Sequence, residues 1–93
     1  MKLVLDDQVL ADIQQIFAWI ARDNSRAADD LVNRIFDKIE RLITPELTDM
    51  GRPGTDPGTR ELIEAPYIIV YEVHEERGEI VVLAVMHGAQ DRP

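Results

Sequence analysis

Residues 51–73 constrain the fold more than any other stretch. Positions 51–58, Gly-Arg-Pro-Gly-Thr-Asp-Pro-Gly, hold three glycines and two prolines. No helix runs through such a segment, because proline lacks the amide donor and glycine loses the most backbone entropy on ordering. The composition then switches to β-branched and aromatic residues, Ile68, Ile69, Val70, Tyr71 and Val73, which suit a pleated strand. The loop thus separates a first part of the chain from a sheet-forming second part, with Arg60 at the seam. A loop that delivers one arginine to the mouth of a sheet suits function. It equally suits a structural ion pair between loop and strand.

Before the loop, Lys2–Leu5 is a short apolar run and reads as an edge strand. Asp6 or Asp7 caps the helix that follows. From Gln8 to about Arg22, Val9, Ile13, Ile16, Phe17 and Ile20 recur at threes and fours, which marks one helical face. Trp19 lies off that stripe. Asn24 or Ser25 caps a second helix reaching about Ile43, with Ala28, Leu31, Val32, Ile35, Ile39 and Leu42 on its apolar face. Asp30 with Arg34, and Asp37 with Arg41, are spaced for pairing on its outer face. So short a joint forces an antiparallel helix hairpin. Thr44-Pro45 ends the second helix, and Leu47 and Met50 are expected to anchor the loop.

After the loop, Arg60–Glu64, Tyr67–His74 and Glu79–His87 read as three strands, with a hairpin turn at Glu75–Gly78 and Gly78 at positive φ. Ile80–Met86 is apolar throughout, as expected of a central strand covered on both faces. The predicted fold is therefore α+β in the order β-α-α-β-β-β. A two-helix antiparallel hairpin packs on one face of a small twisted antiparallel sheet, and the other face is partly open. At 93 residues this reads as one domain spanning 1–93.

The chain has 10 basic and 18 acidic residues, a net charge of −8. Residues 44–93 hold four of the basic groups and ten of the acidic ones, and no lysine. The sheet-forming half is thus the more acidic, the opposite of a nucleic-acid footprint. No direct nucleic-acid partner is expected. A basic protein partner, or plain solubility, fits the charge better. There is no cysteine, hence no disulfide and no thiolate chemistry. No spacing of His, Asp or Glu predicts a metal, and no glycine-rich cradle predicts a phosphate or cofactor. No secretory leader and no membrane span are read in the sequence, so a cytoplasmic location is expected.

With these elements in order, the chain resembles the RelE/ParE superfamily of bacterial toxins, and its ParE branch most closely. The resemblance rests on the short strand, the helix hairpin with its Asn-Ser joint, Gly51-Arg-Pro-Gly54, Gly58-Thr-Arg-Glu-Leu62, Pro66-Tyr-Ile-Ile-Val-Tyr71 and Met86-His-Gly-Ala-Gln-Asp91. It covers essentially the whole chain. It implies the toxin of a type II toxin–antitoxin module, neutralised by a cognate antitoxin protein. The ParE branch implies inhibition of DNA gyrase by protein binding. The RelE branch implies ribosome-dependent mRNA cleavage, which needs several cations around the scissile phosphate and a proton-moving side chain. Here the strand position after Tyr71, often arginine in the superfamily, is Glu72. Arg60 and His87, with Tyr67 and Tyr71 in reach, are thin provision for cutting RNA. Gyrase inhibition without catalysis is therefore favoured. The endonuclease and an inactive homologue acting only as a binding module stand as alternatives.

The resemblance makes Arg60, His87, Gln90, Asp91 and Arg92 candidates for target contact. For Arg60 the competing reading is an ion pair to Glu61, Glu72 or Asp91. For His87 it is a hydrogen-bonded strand end, and for the tail it is plain solvation. Trp19 and Tyr71 are candidates for a partner interface. Against this, Trp19 can pack on the second helix or the first strand, and Tyr71 can sit in the core with Tyr67, which shares its face. Arg52 reads as a loop-stabilising residue. A hydrophobic strip is expected to stay open near the helix hairpin or on the free sheet face. The assembly is read as a homodimer or a toxin–antitoxin hetero-oligomer.

Overall fold

A computed structural model describes residues 1–44 and 50–88. Leu47, Gln90, Asp91 and Arg92 lie outside the described residues. Strand β1 covers Lys2–Leu5, helix α1 Asp7–Ala21 and helix α2 Ser25–Arg41. Asp6 caps α1, its carboxylate accepting from the Gln8 amide at 3.0 Å. Asn24 caps α2 through the Ala27 amide, also at 3.0 Å. Both caps satisfy amides that the first turn of a helix leaves without partners. After the loop come β2 (Arg52–Pro53), β3 (Arg60–Glu64), β4 (Tyr67–His74) and β5 (Glu79–His87). The link between β4 and β5 is a short 3-10 turn, Glu75–Arg77, closed by Gly78 at φ 61°. A residue with a Cβ is disfavoured in that left-handed conformation.

The five strands form one sheet in the order β1-β5-β4-β3-β2. The sheet is mixed rather than antiparallel: β1 runs parallel to β5, from Lys2↔Glu79 to Leu5↔Val82. The helix hairpin between β1 and the rest of the sheet supplies the crossover that parallel pairing requires. The edge position of β1 agrees with the sequence reading. Strand β2 was not foreseen. It forms because Arg52 and Pro53 pair with Glu61 and Arg60 at the other edge, where proline's missing donor costs no ladder bond.

Both helices lie on one face of the sheet. Val9, Ile13 and Ile16 of α1, and Leu31, Ile35 and Ile39 of α2, meet Leu62, Ile69, Tyr71, Ile80, Val82 and Val85. The step from Val82 to Val85 follows from a bulge. Val70 pairs with Ala84 but Tyr71 pairs with Val82, so Leu83 is the extra residue and the inward face shifts by one. Only Ile80, Val82 and Val85 of β5 are buried, and Val81, Leu83, Ala84 and Met86 are half-exposed. The expectation that β5 is covered on both faces is therefore corrected. Its unbroken apolar run reflects a central position with one face left partly open.

Other local expectations also change. Met50 is 40% exposed and anchors nothing in the core. Arg34 turns away from Asp30 to Glu64 on β3, at 3.3 Å, where Lys38 also reaches at 3.6 Å. These contacts tie α2 to the sheet.

Candidate functional site

Arg60 and Tyr71 pair across β3 and β4, so both side chains take the helix-covered face. The Arg60 guanidinium donates to the Gly51 carbonyl, and the Tyr71 hydroxyl accepts the Gly51 amide at 3.1 Å. The first residue of the Gly/Pro loop is thereby held from both of its peptide groups. A Cβ at position 51 would lie 2.6 Å from the Glu61 carbonyl oxygen and 2.7 Å from the Tyr71 hydroxyl, so only glycine fits. Tyr71 is fully buried. It serves the core and offers no surface to a partner, which corrects its reading as an interface residue.

Arg60 is half-buried in this junction. Of the carboxylates proposed as its partners, Glu61 and Glu72 each have another contact, and Asp91 lies outside the described residues. Glu61, 4% exposed, is held by Arg52 at 3.1 Å. Glu72 is 2.9 Å from His74 Nε2. Arg52 therefore stabilises the loop as expected.

His87 lies at the far end of the sheet. Its ring stands edge-on to Tyr67, with centroids 5.4 Å apart and planes at 84°. Arg60 pairs with Tyr71 and His87 with Tyr67. The two are thus four residues apart along β4, roughly 13 Å at strand rise. They do not converge on one reacting group. Gln90, Asp91 and Arg92 fall outside the described residues.

What His87 borders is a groove of about 580 Å³ between α1 and the end of β5. Asp12, Gln15, Ile16 and Trp19 line it from the helix, and Tyr67, Val85, Met86 and His87 from the sheet. Trp19 stands on its rim, 68% exposed, and the Arg22 guanidinium lies 5.4 Å from the ring centroid. The expected packing of Trp19 on α2 or β1 is not found, because residue 19 faces the groove rather than the helix hairpin. No lysine or arginine is among the groove's described lining residues. Among the described residues no group of three metal-ligating side chains occurs, and no helix is long and apolar enough to cross a membrane.

Sequence reasoning missed Asp12, Gln15 and Met86. Asp12 accepts the Val85 amide at 3.0 Å and the Gln8 side-chain amide at 2.7 Å. Its only trace in the sequence is a carboxylate bordering the apolar stripe at Ile13 and Ile16. What the arrangement can do chemically is limited. It offers an open apolar floor, one committed carboxylate, one imidazole and an exposed indole. That set suits capture of a protein side chain rather than a phosphate.

The family described as the ParE toxin of type II toxin–antitoxin systems, parDE, matches residues 3–92. Among solved structures, the chromosomal ParDE system from P. aeruginosa superposes with a TM-score of 0.79 at 24% identity, over 94% of this chain and 95% of that one. The intact E. coli RelBE toxin–antitoxin complex gives 0.63 at 15% identity, over 92% and 94%. The isolated E. coli RelE toxin gives 0.65 at 14%, over 99% and 86%. At such identities these likenesses speak for the fold. No curated protein matches the sequence.

Proposed function

Because the chain belongs to the ParE toxin family of type II toxin–antitoxin systems, we propose that it inhibits DNA gyrase by protein binding and is neutralised by a cognate antitoxin. The gyrase target follows from the ParE branch. Action by binding rather than cleavage is supported by one observation above the others: the groove beside His87 has no cation among its described lining residues. Cleavage of RNA requires positive charge where the phosphate's negative charge develops. Arg52 is committed to Glu61, and Arg34 and Lys38 to Glu64. Glu72 adds a carboxylate on the opposite face of β4.

The antitoxin's docking surface includes the same groove. An exposed tryptophan beside an apolar cleft is the kind of anchor that carries interface energy. The −8 charge of the chain suits a partner segment with basic residues around an apolar core.

The test is a gyrase supercoiling assay with the purified chain, run with and without the antitoxin, beside a ribosome-dependent mRNA cleavage assay. Supercoiling is expected to fall with added chain and to recover with antitoxin, while transcripts stay intact. Undiminished supercoiling at high molar excess sinks the reading. Cleaved transcripts that disappear with Arg60→Ala or His87→Ala assign the chain to the endonucleases. Unchanged growth on expression without antitoxin assigns it to binding modules.

A further inference from the structure

β1 pairs with β5 only from Glu79 to Val82. The Asp6 amide adds one more bond, to the Val82 carbonyl at 2.9 Å, and the chain then rises into α1. Among the described residues, Leu83–Met86 of β5 have β4 on one side and no strand on the other. The groove beside α1 occupies the place where β1 would continue. On that side the Val85 amide is accepted by Asp12, whose second oxygen is tethered by Gln8.

We infer that Asp12 closes a latent strand-pairing edge, and that a second copy of this chain is what the edge takes when Asp12 is removed. The segment Leu83-Ala-Val-Met-His87 is apolar, rich in strand formers and without formal charge. Such a segment, with a strand on one side only among the described residues, is a template for pairing with an identical one once its outer side is uncovered. Proteins blunt such edges with charge or by covering them. Here a side-chain oxygen does so by taking the Val85 amide itself and occupying the strand's berth. A partner that enters the intact groove is thereby read by its side chains rather than added as a strand. This inference is independent of the gyrase reading, since it concerns the chain alone.

Amide hydrogen exchange and sedimentation test it, on the full chain and on Asp12→Ala, Asp12→Asn, Gln8→Ala and Asp29→Ala. Asp12→Ala is expected to speed Val85 exchange at least tenfold and to raise concentration-dependent self-association above that of the natural chain. Asp12→Asn keeps an acceptor oxygen and is expected to match the natural chain. Asp29→Ala removes the same charge from an exposed site on α2 and is expected to change neither readout. Gln8→Ala loosens the tether and gives a smaller rise in Val85 exchange, which keeps the test informative if Asp12→Ala does not fold. Unchanged exchange in the Asp12→Ala and Gln8→Ala chains overturns the inference. So does Asp12→Ala that folds and associates no more than the natural chain, or Asp29→Ala that reproduces its effects.

Discussion

Gly51 shows how little a sequence reveals about which residue a loop depends on. Its amide and carbonyl are both held, by Tyr71 and Arg60, two residues first weighed as contacts for other molecules. Tyr71→Phe removes the acceptor of the Gly51 amide while filling nearly the same volume. It is expected to cost about 1 kcal/mol of stability, read as a lower denaturant midpoint with unchanged slope. Arg60 was legible as the seam between loop and sheet, because the composition changes there. Its partner was not legible, because a backbone carbonyl leaves no mark in the sequence. Trp19 was left between two readings, an exposed interface anchor and a packed side chain, for a related reason. Its position off the helical stripe was visible, but whether something covered it depended on where β1 ends.

At the scale of the element, periodicity carried most of the information. The stripe of α2 was read correctly because Ala28, Leu31, Ile35 and Ile39 repeat at threes and fours and all are buried. Its start was legible because Asn24 is a strong cap. Asn24→Ala is expected to cost about 1 kcal/mol, seen in thermal unfolding followed by circular dichroism. The same logic misread β5. An apolar run without alternation suggests cover on both faces, yet the bulge at Leu83 moves the inward positions out of step. The short β2 escaped notice because Gly/Pro-rich sequence signals loop, and two edge residues supply no pattern of their own.

For the whole molecule, the order of elements and the two-layer arrangement were legible from amphipathic faces alone. The parallel pairing of β1 was not, since nothing local tells the first strand which way its neighbour runs. The groove follows from that pairing, so its lining was equally hidden. Its working role is open to a direct measurement. Trp19→Ala removes an exposed side chain and is expected to leave stability within about 0.5 kcal/mol. It is expected to weaken capture by the antitoxin by about 2 kcal/mol, measured by calorimetric titration. A mutant that binds as tightly as the natural chain places the antitoxin elsewhere.

The pairing of Lys2–Leu5 with Glu79–Val82 also sets a timetable. On the ribosome, the earliest strand waits for the latest before it has a neighbour, and closing so long a loop is slow relative to forming the helix hairpin. The sheet therefore stays unfinished until β5 has left the ribosome, and the groove forms only once that strand is in place.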